Sequence, residues 1–168
     1  MSELEFLSVD RAAPEAVAKS PLERALREAD PRFELRDLSL KTGKLDVRGD
    51  LGLLDVEGDI VRLTDQRALV LCNTSEVETV RARVRQQGLF VVDMTGALAG
   101  LELRGDRLMR RLTDLDLDAL PVAGPFAHVP ATVLRDDGGR FRVFFPQEFG
   151  HYVAEVVLDT AEGLPEWR

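Results

Sequence analysis

The chain has 168 residues, enough for one domain or two intimately packed halves, and at that size about 70% of the unfolded surface can be buried without disulfides or metals. Hydrophobic content of 45% and charged content of 31% are those of an ordinary soluble protein, and a net charge of −8 argues against nucleic acid or an anionic membrane as the main partner. Cys72 is the lone cysteine, which excludes an intrachain disulfide and fits a reducing cytoplasm.

Residues 1–19 read as a flexible, acidic N-terminal lead, either partly disordered or a docking tail. MSELEFLSVDR lacks the basic start and long apolar run of a signal peptide, and no apolar run approaches the ~20 residues of a membrane span. Ser20-Pro21-Leu22-Glu23 has the chemistry of a helix start: Ser20 as cap, Pro21 at the first helical position, Glu23 closing a capping box. Leu22, Ala25, Leu26 and Ala29 form the apolar face, and Pro31 ends the helix.

From Phe33 to Cys72 the apolar period falls to two. Phe33 and Leu35, Leu45 and Val47, and Leu54 and Val56 alternate as strands, with Gly43, Gly49, Gly52 and Gly58 at turn spacing. Ile60 and Leu63 suggest another short strand, and Thr64-Asp65-Gln66-Arg67 a turn into the buried strand Ala68–Cys72. Ser75-Glu76-Val77-Glu78 reads as a capping box, Val77, Val80 and Val84 as one helix face, and Gly88 as the stop. Leu89–Met94 is the next strand, and Leu101 and Leu103 alternate with Glu102 and Arg104 in another. Asp106 is offered as the N-cap of a helix whose apolar positions are Leu108, Met109, Leu112 and Leu115.

Leu120 to Pro130, containing Pro and Gly, reads as an irregular connector. Ala131–Arg135 and Arg140–Phe145 flank the hairpin turn Asp136-Asp137-Gly138-Gly139. Phe149, Tyr152, Val153, Val156 and Val157 then form the apolar stripe of an amphipathic helix, expected to close on Phe141, Val143 and Phe145. From residue 68 onward the order is βαβ, βα, hairpin, helix, which predicts an α+β fold with ferredoxin-like βαβ packing. The single domain is placed at residues 20–160 and a C-terminal tail at 161–168.

No catalytic constellation emerges. Asp114, Asp116 and Asp118 invite a calcium-loop reading, but the required Gly and Glu positions hold Ala119 and Pro125; solvated acids on an extended edge fit better. His128 and His151 stand far apart with no metal-ligand pattern beside them. Cys72 lies in an apolar run, as a small hydrophobe does. Asp93, at a strand end, has two available roles: orienting a substrate amine, or accepting hydrogen bonds from turn amides, the role favoured here. Arg107, Arg110 and Arg111 form either an anion-binding face or a solvated helix face, with the second favoured. The catalytic, cofactor-binding and metal-site assignments from sequence are therefore none.

Several short motifs occur in an order that resembles a known family. Ser20-Pro21-Leu22, Asp93-Met94-Thr95, Leu101-Glu102-Leu103-Arg104-Gly105, Leu115-Asp116-Leu117, and the stretches Ala131–Phe145 and Phe149–Leu158 resemble the gamma subunit of heterotetrameric sarcosine oxidase. That subunit belongs with the folate-binding aminomethyltransferase (glycine-cleavage T-protein)-like folds. The catalytic members carry an inner-strand carboxylate after a Gly-Gly turn, and a stand-alone branch carries a Lys-Gly-Cys-Tyr-like signature. Neither has a counterpart here, where Cys72 sits in Leu-Cys-Asn-Thr. The resemblance thus implies a non-catalytic assembly subunit, partnered by alpha, beta and delta subunits that carry FAD, FMN, NAD and tetrahydrofolate. The competing reading is a stand-alone folate- or small-ligand-binding protein, and a third is a repurposed interaction domain of an unrelated dehydrogenase.

Overall fold

The computed structural model describes residues 19–165; the proposed lead, apart from Lys19, and residues 166–168 lie outside the described residues. In chain order the elements are α1 (Glu23–Arg27), β1 (Arg36–Asp37), β2 (Thr42–Arg48), β3 (Asp59–Thr64), β4 (Arg67–Asn73), α2 (Val77–Gln86), β5 (Phe90–Asp93), β6 (Leu98–Arg104), α3 (Asp106–Leu112), β7 (Val122–Phe126), β8 (Val129–Asp136), β9 (Arg140–Pro146) and α4 (Gly150–Glu162). The strands form two antiparallel sheets, β1-β6-β9-β8-β7 and β3-β4-β2-β5.

The side-chain period decides the layering. Ala99, Leu101 and Leu103 of β6, Val133 of β8 and Phe141, Val143 and Phe145 of β9 point to one side of the larger sheet, against α1, α3 and α4. Leu45 and Val47 of β2, Ala68 and Val70 of β4 and Val91 of β5 point outward from the smaller sheet onto Val77, Val80 and Val84 of α2. The opposite faces meet: Val61, Leu69 and Leu71 pack on Leu134 and Phe144. The result is four layers, helices–sheet–sheet–helix. Both faces of the smaller sheet are covered, which is why β4 reads as an unbroken apolar run rather than an alternation.

The expected βαβ passage is present in split form. β4 and β5 are each antiparallel to β2, so they run parallel to one another with β2 between them, joined by α2. The α+β class stands, and both sheets are antiparallel throughout.

Several local expectations are corrected. The capping box before α2 is Asn73 with Glu76, not Ser75 with Glu78: Asn73 Oδ1 accepts from the Ser75 amide and Glu76 Oε2 from the Asn73 amide. Ser20 does accept from the Leu22 amide at 3.1 Å, but Glu23 pairs with Arg27 one turn on instead of closing a box. α1 is short, and Pro31 opens a 3-10 turn capped by Asp30. Phe33 lies in that turn, leaving β1 as two residues; Leu54 and Val56 pack on the α2 core from a loop, not a strand. Gly105 precedes α3 as its cap, at φ 111°, and Asp106 is the first helical residue, paired with Arg135; Leu115 lies beyond the helix end.

The connector at 120–130 contains β7 and the start of β8. Pro125 pairs with Pro130 on an edge, where the missing amide hydrogens break no inner ladder. The turn between them is Ala127-His128, both at positive φ (48° and 63°), with none of the Gly or Asn that would have announced it. The expected tail at 161–168 begins inside α4: Ala161 is buried, as is Leu164 beyond the helix.

Candidate functional site at the sheet interface

The polar groups with most to explain lie between the sheets on β2, whose sequence Gly43-Lys44-Leu45-Asp46-Val47 alternates so that Leu45 and Val47 face α2. Lys44 and Asp46 must then face the other sheet, and they are 0% and 3% exposed. A lone sequence gives no sign that a second sheet covers that face, so neither residue stood out as a candidate.

The Lys44 ammonium donates to two backbone carbonyls, Ser39 at 2.6 Å and Thr95 at 3.2 Å. Burial pushes its pKa down to about 8, opposed in part by the charges of Asp37 and Asp93. Around it the chain is tied by hydroxyls and carboxylates. Thr95 Oγ1 accepts from the Lys44 amide, Asp93 Oδ1 from the Thr95 amide, Asp37 Oδ1 from the Ser39 amide, and Ser39 Oγ from the Gly100 amide. Lys44 thus braces two corners, the β1–β2 link and the β5–β6 turn. The structural role favoured for Asp93 is the one it plays, accepting from a turn amide, with an added electrostatic effect on Lys44.

Two residues along β2, Asp46 takes one guanidinium on each oxygen: Arg67 Nε at 2.7 Å, and Arg48 Nη2 and Nε at 2.7 and 2.9 Å. Asp46 and Arg67 border a cavity of about 220 Å³, otherwise lined by Leu63, Leu69, Met94, Leu98 and Phe144 among others. Arg142 of β9 crosses from sheet to sheet, donating to Asp59 of β3 at 2.8 Å and to Asp136 at 2.7 Å. Burial lowers its pKa, but the two carboxylates outweigh that and leave it raised, so the clamp stays charged. These charges are mutually compensated and hold backbone in place; none sits beside a nucleophile.

The structure does not assemble the residues singled out from sequence. Cys72, half-buried on β4, has its thiol pKa raised by burial and by Glu76 and Asp93, which suits packing rather than attack. His128 is exposed in the β7–β8 turn, and His151 on α4 pairs with Glu155 at 3.1 Å. Asp114, Asp116 and Asp118 follow α3 in a bend rather than an extended edge: Asp116 Oδ1 accepts from the Asp118 amide, and Asp118 lies 3.6 Å from Arg135. Among the described residues no group of three or more His, Cys, Asp or Glu is placed to hold a metal ion. Arg110 and Arg111 are exposed on α3, a solvated face. Among the described residues no helix is long and apolar enough to cross a membrane.

Comparison with known proteins gives the class of fold. No protein-family model and no curated protein matches the sequence. Among solved structures, the fold is similar to a chain of "Heterotetrameric Sarcosine Oxidase from Corynebacterium sp. U-96 in complex with pyrrole 2-carboxylate". The TM-score is 0.70 at 16% identity, covering 85% of this chain and 94% of that one. The resemblance read from short motifs is therefore matched in three dimensions: this chain has the fold of a sarcosine oxidase chain.

Proposed function

We propose that this protein is the small, gamma-type subunit of a sarcosine-oxidase-like complex, with an aminomethyltransferase-like fold and a structural role in assembly. The supporting observation is the coverage of the fold match. It takes in 94% of a chain that belongs to a heterotetrameric enzyme, so the likeness extends over nearly the whole of that chain. The buried polar groups agree with a structural role. Lys44, Asp46 and Arg142 each hold two or more backbone or side-chain partners, as braces do. In this reading alpha, beta and delta subunits carry the FAD, FMN, NAD and tetrahydrofolate, this chain brings no cofactor, and the complex works in the cytoplasm.

The test is the purified chain alone, assayed for sarcosine oxidation and for one-carbon transfer with tetrahydrofolate. The expected result is no turnover above a buffer blank and no flavin absorbance. Turnover in a flavin-free preparation would show a catalyst in its own right.

A further inference from the structure

The layer between the two sheets is filled unevenly. Toward one end Val61, Leu69 and Leu71 meet Leu134 and Phe144. Further along the same face of the larger sheet the side chains are small: Thr132 of β8, its cross-strand partner Ala123 of β7, and Pro130. Around them Leu63, Met94 and Leu98 leave a gap, the cavity of about 220 Å³.

The charges at the two ends of the layer are opposite in sense. At the filled end one guanidinium, Arg142, stands between two carboxylates, Asp59 and Asp136. At the cavity one carboxylate, Asp46, stands between two guanidiniums, Arg48 and Arg67, which are direct cross-strand partners. Like charges in that position repel, and a single aspartate leaves one cation in excess. Asp46 and Arg67 are the charged residues that line the cavity; Asp65, in the turn between β3 and β4, does not. Arg67 Nε is fixed on Asp46, while its two terminal nitrogens make no hydrogen bond among the described residues, and its side chain is 49% exposed. A guanidinium pinned at one nitrogen and open at two is oriented to take a carboxylate on parallel N–H bonds.

We infer that this cavity is a binding site for a short aliphatic monocarboxylate, its carboxylate on Arg67 and its apolar body among Leu63, Met94, Leu98 and Phe144. The volume is the share of about seven waters at roughly 30 Å³ each, which admits a branched five-carbon acid and excludes a nucleotide-sized cofactor. The single excess cation selects a monoanion. An amine finds no open carboxylate, because each Asp46 oxygen already accepts from a guanidinium.

The test is a methyl-resolved NMR titration of the full chain with isovalerate, isovaleramide and isoamylamine at constant ionic strength. Isovalerate should give saturable shifts at the Leu63, Met94 and Leu98 methyls, with a dissociation constant on the order of 1 mM, and the amide and the amine should bind at least about tenfold more weakly. Arg67→Gln should lower the isovalerate affinity about tenfold and leave that for the amide unchanged. Because Arg67 also holds Asp46, a second variant spares the pair: Ala123→Phe, at an exposed position on an edge strand, fills the mouth and should abolish the shifts with unchanged Tm. Shifts that do not saturate, shifts confined to methyls outside the cavity, equal affinity for the acid and the amide, or binding that survives Ala123→Phe would overturn the proposal.

Discussion

Lys44 sits in an environment far from its ordinary one. A buried ammonium bound by neutral carbonyls keeps its charge at a cost, and folding pushes its pKa from 10.5 to about 8. The unfolded chain then binds more protons than the folded chain between pH 8 and 10.5, so the Lys44 contribution to stability rises with pH across that window and is at its most unfavourable below it. Denaturant melts of the protein and of Lys44→Met should therefore diverge. The difference between them should change with pH 8–10.5 at a slope approaching about 1.4 kcal/mol per unit, the limit for one proton. A pH-independent difference would mean that Lys44 is solvated in solution. Gly100 makes the matching steric point on the facing sheet. A Cβ there would stand 2.8 Å from the Phe144 ring and 3.1 Å from Leu38 Cβ, so the inter-sheet layer admits no side chain at that position.

Among elements, β9 and α4 both feed the core behind the larger sheet. Phe141, Val143 and Phe145 lie in the same core as the helix, but the helix stripe in it is Val153, Ala154, Val157 and Ala161. Phe149 precedes α4 in a 3-10 turn and is 39% exposed, and Tyr152 is 43% exposed. Phe141→Ala should thus cost about 3–5 kcal/mol, while Tyr152→Ala should stay within about 0.5 kcal/mol in thermal melts of the isolated chain. Similar losses for both would place Tyr152 in the core after all. The stripe shifted because hydrophobicity alone ranks Tyr152 with Val153, whereas Gly150 seats the start of α4 against Pro21, a Cβ there coming within 2.5 Å of that ring. No local pattern encodes this long-range contact. Periodicity served well where one face is buried, as on β6, β9 and α2. It failed at β7, an edge with Pro and a turn of two non-glycine residues at positive φ. It also failed on β2, where both faces are buried and Lys44 and Asp46 look like the solvent side of an amphipathic strand.

At the scale of the molecule, two helix-backed sheets face each other across an apolar layer clamped by Arg142 between Asp59 and Asp136. The motifs that resemble sarcosine oxidase lie mainly just before α1 and in β6, β8, β9 and α4, the half built on the larger sheet. The match in fold extends over 85% of the chain, well beyond the residues of those motifs. Local pairing and cores explain how such a chain folds; its proposed assembly into an enzyme is read from its mass in the native state. Purified gently from its host through a tag on the chain and weighed by native mass spectrometry, it should emerge in a stoichiometric hetero-oligomer containing flavin-bearing subunits that oxidises sarcosine. Recovery as a free monomer, with sarcosine oxidation left in the unbound fraction, would contradict the account.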